Sequence, residues 1–318
     1  MTDLVFGPVP SRRLGRSLGV NNIPPKLCTY SCIYCQVGPT MSRTLDRGVL
    51  YRPRDIVEAV ERRLEAIRPE EAVDYITFVP DGEPTLDVNL GEEIELLKPF
   101  GIPIAVITNS SLIRHADVRD ELEAADWVSL KVDSVDESVW RRINRPHHSL
   151  DLSAILEGAR VFSSVYRGRL VTETMLVAGV NDTEESIRNL ADYLAVLQPS
   201  ASYLSIPTRP PAERRARMPD EVSVTAAYRV LAGAVDTVEC LTGYEGDAFA
   251  STGNASDDLR SITAVHPMRR EAVAALLRTC GAGWDVVKRL IDEGQIIETQ
   301  HSGHTYYTRR FKRRDDVV

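Results

Sequence analysis

The sequence is 318 residues long, 43% hydrophobic and 26% charged, with a net charge of −8. That is ample for one large domain plus a small one, and it excludes a chain that coats nucleic acid with its whole surface, though not a local basic patch. No apolar run approaches the roughly 18–20 residues that span a bilayer, and Met1-Thr2-Asp3-Leu4 lacks the basic-then-apolar layout of a signal peptide, so no membrane partner and a cytoplasmic location are expected.

In chain order, residues 5–40 are rich in Gly, Pro, Arg and Cys, and read as a short strand (18–21) followed by a long functional loop. Residues 55–67 place Ile56, Val60, Leu64 and Ile67 on one helical stripe. Residues 75–79 are an apolar run stopped by Pro80-Asp81-Gly82, the signature of a buried strand. The alternation then continues: helix 92–98, strand 102–107, helix 118–125, strand 127–132, helix 152–161, strand 170–177, helix 184–197, strand 202–206 and helix 225–238. Asn181-Asp182-Thr183 is placed to cap the helix at 184. Six strands alternating with helices predict an α/β fold with a parallel sheet and covering helices. A partial (β/α)6 TIM-like barrel fits six units better than a closed eight-fold one, with a doubly wound sheet as the alternative. Residues 243–258 read as loop, which suggests a main unit over 1–240 with a cysteine loop at 22–36, a linker over 241–260, and a small unit over 261–318. In the last, helix 269–278, turn 281–283, helix 284–293 and strands 295–300 and 305–310 follow the order of a winged-helix domain.

Of the five cysteines, Cys28, Cys32 and Cys35 cluster in the loop after the first strand, spaced Cys-x3-Cys-x2-Cys. An odd count with a tight cluster points to metal rather than disulfides. Three thiolates so spaced can wrap one compact cluster, and a 4Fe–4S cube held by three cysteines keeps one iron open. The bland alternative, a closed zinc site, needs a fourth ligand nearby, and after Cys35 the next His or Cys is His115. Cys240 and Cys280 are expected to be buried apolar residues.

The cysteine spacing, the aromatic Tyr34 just before the third cysteine and the position after strand one resemble the radical S-adenosylmethionine (SAM) superfamily, over residues 5–240. Residues 6–15, Phe6-Gly7-Pro8-Val9-Pro10-Ser11-Arg12-Arg13-Leu14-Gly15, resemble a branch of wyosine-synthase-like iron–sulfur oxidoreductases. The resemblance implies a partial barrel with its site at the strand C-terminal ends. It also implies a 4Fe–4S cluster on Cys28, Cys32 and Cys35, fed by a ferredoxin- or flavodoxin-type reductant. Such a cluster cleaves S-adenosylmethionine to a 5′-deoxyadenosyl radical that abstracts hydrogen from a substrate.

Around it, Gly82, Glu83 and Pro84 resemble the family's Gly-Gly-Glu-Pro motif, which receives the methionine ammonium, with Asp81 where the first glycine stands. Lys131 and Asp133 resemble the strand-four residues that meet the cofactor's carboxylate and ribose in activating enzymes of glycyl-radical proteins. With Ser129 on the same strand face, a mutual Lys131–Asp133 ion pair is not expected. Asn109 and Glu173 are placed to face the cavity, and Val177 to approach adenine. A surface turn at 80–85, a helix cap at Asn109 and a structural Lys131 are the plainer readings.

Three functions fit: a radical enzyme acting on tRNA or another nucleic acid, an activase that installs a radical on a partner protein, or an iron–sulfur DNA-binding redox regulator. An open iron and a cofactor pocket argue against the regulator. Residues 261–318 hold ten Lys+Arg against seven Asp+Glu, a local +3 that leaves −11 on the rest. On helix 284–293, Trp284, Val287, Leu290 and Ile291 form the apolar stripe and leave Lys288 and Arg289 outward. A basic, aromatic-bearing module on an acidic body suits phosphate binding, although such modules also dock proteins.

Overall fold

A computed structural model describes residues 4–67, 72–243, 246, 249 and 251–310. The chain opens with an antiparallel hairpin, β1 (Val5–Ser11) and β2 (Gly15–Val20). Short strands β3 (Leu27–Cys28) and β4 (Ser42–Arg43) then pair across the cysteine loop. Next come α1 (Pro53–Ala66), β5 (Tyr75–Phe78), α2 (Leu90–Leu97), β6 (Ile104–Thr108), α3 (Ala116–Leu122) and β7 (Trp127–Lys131). After these follow α4 (Glu137–Asn144), α5 (Leu152–Val165), β8 (Arg169–Met175), α6 (Glu184–Leu197), β9 (Ala201–Ser205), α7 (Glu221–Ala232) and β10 (Val238–Leu241). Thr183 caps α6 as expected, accepting from the Ser186 N–H at 3.3 Å.

The sheet order is β1-β2-β5-β6-β7-β8-β9-β10, and every pair after the first is parallel. It curls into a half-barrel, the partial TIM-like barrel expected. Strand alternation sorts the side chains. Ile104, Val106, Val128 and Leu130 face the helices in the main core, while Ala105, Trp127, Val171 and Tyr203 point inward.

Two strands depart from the expectation. β1 carries Pro8 and Pro10, which remove ladder donors and disguise a strand. They are tolerated because β1 is the sheet edge and its register shifts between Phe6 and Val9. β10 is a four-residue edge strand whose Glu239 and Cys240 are exposed, so it leaves no apolar run, and α7 ends at Ala232, short of the expected 238. Cys240 is therefore not buried, and Cys280 is half-buried, its sulfur 2.9 Å from Ser251 Oγ.

The β1–β2 turn does more than reverse the chain. Leu14 packs inside the half-barrel with Trp127, Val171, Tyr203 and Leu241, and Arg12 Nη2 donates to the Leu241 carbonyl on the far edge strand at 2.9 Å. The hairpin tip thus plugs the floor of the barrel.

Beyond β10 lie α8 (Ala255–Val265), β11 (Met268–Arg269), α9 (Arg270–Thr279), α10 (Asp285–Asp292), β12 (Ile296–His301) and β13 (His304–Arg309), the strands pairing β11-β13-β12. The loop expected through 258 is corrected: Asn254 caps a helix that starts at Ala255. α8 packs on β1, and Leu259, Ile262, Met268 and Tyr307 share a core with Phe6 and Val9. Arg63 of α1 pairs with Asp258 at 3.2 Å. On α10, Val287 and Leu290 are buried and Lys288 and Arg289 exposed as expected. Trp284 is not in the buried stripe: it is exposed, with the Arg270 guanidinium 4.7 Å from its ring centre. The basic run at 311–318 lies outside the described residues.

Candidate active site

At the C-terminal ends of the strands lies a cavity of about 300 Å³. Cys28, Cys32 and Cys35 all line it, with Tyr34, Gly82, Asn109, Lys131 and Glu173. The loop carrying the cysteines is tied to its neighbours by backbone bonds. Ser31 and Ile33 N–H donate to the Asn144 and Ile143 carbonyls at 3.1 and 3.0 Å, and Glu83 N–H donates to the Leu27 carbonyl at 3.1 Å. That docking explains Gly82: a Cβ there would lie 1.9 Å from the Leu27 oxygen.

Two amides reach the thiols. Asn109 Nδ2 lies 3.5 Å from Cys28 Sγ and 2.8 Å from Thr29 Oγ1, and Asn144 Nδ2 lies 3.4 Å from Cys32 Sγ. Burial pushes all three thiols up, Cys32 to about 12, while Lys26 pulls Cys35 down in part. Deprotonating them therefore calls for a bound cation. Among the described residues no three His, Cys, Asp or Glu side chains converge on a single metal ion. Three thiols around one cavity, with N–H donors aimed at two of the sulfurs, suit an iron–sulfur cluster as the group they would hold.

The sequence-predicted residues divide into two groups. Tyr34, Gly82, Asn109, Lys131 and Glu173 face the cavity; Glu83, Pro84, Asp133 and Val177 do not. Glu83 is wholly buried and accepts four hydrogen bonds. Oε1 takes Thr85 N (3.1 Å), Thr85 Oγ1 and Thr108 Oγ1 (both 2.6 Å), and Oε2 takes Asn109 N (2.7 Å). Burial pushes its carboxyl up against the pull of these donors. It ties the end of β5 to the end of β6 rather than presenting a carboxylate to the cavity. Pro84 is buried beside it, its carbonyl taken by Asn22 Nδ2 at 3.1 Å. Val177 is buried behind the cysteine loop with Ile33, Ile143 and Ala216. Asp133 accepts from the Tyr34 hydroxyl, from Asn144 Nδ2 (2.6 Å) and from Met175 N (2.7 Å).

Lys131 corrects one expectation. Its ammonium lies 3.5 Å from Asp133 Oδ1 and 2.9 Å from Glu173 Oε1, so the two strand-mates do pair. Burial opposes its charge, but Asp133 and Glu173 outweigh it and raise the Lys131 pKa. Glu173 also takes the Arg13 guanidinium and the Ser205 hydroxyl (3.1 Å). Burial would push this carboxyl up; Arg13 and Lys131 bring it down to about 2.

Sequence reasoning missed several lining residues. Lys26 is buried in a left-handed turn (φ 64°) with Nζ 3.2 Å from Asp81 Oδ1. Burial lifts the Asp81 carboxyl to about 6, against that ammonium. The acid standing where a glycine was expected thus has its own cation, and Lys26, two residues before Cys28, was the available signal. Gln36, next to Cys35, donates to the Val265 carbonyl of α8 (3.3 Å) and accepts from Arg209 (2.5 Å). His301 Nε2 lies 3.2 Å from the Pro207 carbonyl, and Tyr306 OH donates to the Thr208 carbonyl at 3.0 Å. Of the C-terminal elements, α8 therefore contributes Val265 to the cavity wall, while β12 and β13 brace the Pro207-Thr208 segment that lines it.

Residues 22–194, which carry the cysteine loop and strands β5 to β8, match the Radical SAM superfamily. The chain belongs to that superfamily. Its cofactors are accordingly a 4Fe–4S cluster and S-adenosylmethionine, and it is an enzyme. A UPF0026 protein of Methanocaldococcus jannaschii is 46% identical over 318 residues, 99% of this chain and 98% of that one. The dual-specificity RNA methyltransferase RlmN of Wolinella succinogenes is 26% identical over 178 residues, 53% of this chain and 49% of that one. Among solved structures, TYW1 with a lysine-pyruvate adduct bound has a similar fold: TM-score 0.53 at 17% identity, covering 69% of this chain and 74% of that one. No helix among the described residues is long and apolar enough to cross a membrane.

Proposed function

We propose that this radical SAM enzyme abstracts hydrogen from a nucleotide of an RNA substrate, with tRNA the first candidate. The observation that carries the reading is the charge of the cavity. Arg12, Arg13, Lys26, Lys131 and Arg209 line it against Asp81 and Glu173, in a chain whose net charge is −8. Such a local excess of cations recruits an anionic substrate. The relative named as an RNA methyltransferase supports the same class.

In this reading Cys28, Cys32 and Cys35 hold the cluster, and the Gly82 backbone, Asn109 and Lys131 hold the methionine end of S-adenosylmethionine. When bound, cluster and cofactor supply one-electron cleavage and hydrogen abstraction, with the electron from a ferredoxin- or flavodoxin-type protein. The chain does the rest. Tyr34, Asp133 and Asn144 fix the cluster loop against β7, Glu173 holds the Lys131 ammonium in place, and the hairpin tip and Val265 of α8 contribute to the cavity wall. The C-terminal elements act as a winged-helix-like module, and exposed Arg270, Lys288 and Arg289 beside Trp284 offer phosphate contacts.

Because α8 shares a core with β1, point variants test this better than truncation. Under anaerobic conditions tRNA should bind with steep salt dependence, and Lys288→Glu with Arg289→Glu should flatten the slope by about 1–2. An absence of salt-dependent tRNA binding would replace the nucleic-acid reading with a protein or small-molecule substrate.

A further inference from the structure

The end of α4 is docked on the cysteine loop by backbone bonds. Ser31 N–H donates to the Asn144 carbonyl at 3.1 Å, Ile33 N–H to the Ile143 carbonyl at 3.0 Å, and His147 N–H to the Thr29 carbonyl at 2.9 Å. The side chain of Asn144 is not needed for that docking, yet it is polar and only 2% exposed. Its Nδ2 lies 2.6 Å from Asp133 Oδ2, 3.2 Å from the Tyr34 hydroxyl oxygen and 3.4 Å from Cys32 Sγ. These partners fix which way the amide faces. An ionised Asp133 can only accept, and the Tyr34 hydroxyl gives its proton to the same carboxylate. An amide carbonyl turned toward them would meet lone pairs, so the NH2 end must point here. Asp133 takes one N–H. The second is left to the sulfur and the Tyr34 oxygen, and of these a thiolate is the charged and stronger acceptor.

We propose that Asn144 tunes the iron–sulfur cluster: its second N–H donates to the Cys32 thiolate and raises the reduction potential. This rests on the reading of Cys32 as a cluster ligand and not on the choice of substrate. Reduction takes one electron from the ferredoxin- or flavodoxin-type carrier; no bond forms or breaks and no proton moves. The added negative charge is shared with the thiolates, so a donor aimed at one of them stabilises the reduced state. Hydrogen bonds to the sulfurs are among the factors that set cluster potentials. Burial makes this one effective, because the local dielectric is low and water does not compete for the sulfur. Asp133 holds the amide in place, since its other oxygen is anchored by the Met175 N–H at 2.7 Å and by Lys131 at 3.5 Å. The amide also stands between two anions. Without it the Asp133 carboxylate would face the Cys32 thiolate with no donor between them.

The test uses the full chain reconstituted anaerobically, without S-adenosylmethionine, and reads the midpoint potential from a redox titration followed by the electron paramagnetic resonance of the reduced cluster. Asn144→Leu is close in volume and has no donor. It should keep its iron and sulfide and make reduction about tenfold less favourable, a midpoint about 59 mV more negative for one electron. Because that variant also strands Asp133, the comparison is repeated in the Asp133→Asn background, where Asn144→Leu should still lower the midpoint. Where Asn144→Leu alone fails to fold, this second pair decides. A fall seen only with Asp133 present would assign the effect to the carboxylate and overturn the proposal. An unchanged midpoint, or loss of the cluster in both backgrounds, would overturn it as well. Full iron in Cys32→Ala would instead overturn the ligand reading on which it rests.

Discussion

Glu83→Gln separates two roles for the acid of the strand-two turn. In the structure four donors converge on the carboxylate, three on Oε1 and the Asn109 N–H on Oε2. A glutamine of the same shape can keep its oxygen toward the three, but its NH2 then faces the Asn109 N–H, two donors with no acceptor between them. Losing one charge-assisted bond and stranding a buried donor should cost about 3 kcal/mol, a fall in Tm of roughly 4–5 °C for a chain of this length. Asn109 also latches the cysteine loop through Thr29 and Cys28, so iron retention should fall as well. The assay is urea unfolding of the metal-free protein, with iron content and S-adenosylmethionine affinity measured after reconstitution. An unchanged unfolding midpoint with full iron and weakened cofactor binding would refute the reasoning, because it would place the carboxylate in contact with the cofactor.

The hairpin plug predicts that Leu14→Ala, which empties a site among Trp127, Val171 and Tyr203, destabilises by roughly 2–5 kcal/mol in urea unfolding; a loss below about 0.5 kcal/mol would mean that the tip is not packed. Glu93 on α2 is buried, and burial together with Asp87 pushes its carboxyl from 4.5 up to about 8. Between those values the folded state holds a proton that the unfolded state has released, so stability should fall as pH rises from about 4.5 through about 8. Glu93→Gln should remove that part of the slope and stabilise the protein at pH 9 by on the order of a few kcal/mol; parallel stability-against-pH curves for the two proteins would contradict it.

Much of the barrel was legible because its central strands are buried on both faces and read as short apolar runs between amphipathic helices. What escaped was local chemistry at odds with tertiary context. Pro8 and Pro10 argue against a strand until β1 is known to be an edge, and β10 is too short and polar to register. The cysteine loop was legible from spacing alone, but its support was not. Asn144 sits at the end of α4 and meets Cys32 only because the chain returns there from 112 residues away. Glu83 and Lys131 stand out in the sequence as polar groups after or at the ends of apolar strands. Sequence could not tell that four donors enclose Glu83, nor that Glu173 and Asp133 would both hold Lys131.

The most direct test of the central claim is the fate of S-adenosylmethionine on the anaerobically reconstituted protein with dithionite. The account predicts about four irons and four sulfides per chain and conversion to 5′-deoxyadenosine and methionine. Both should be lost when Cys28, Cys32 or Cys35 is replaced by Ala and kept in Cys240→Ala and Cys280→Ala. A protein carrying its full complement of iron and sulfide that releases no 5′-deoxyadenosine, or one that holds its cluster without Cys28, Cys32 and Cys35, would contradict it.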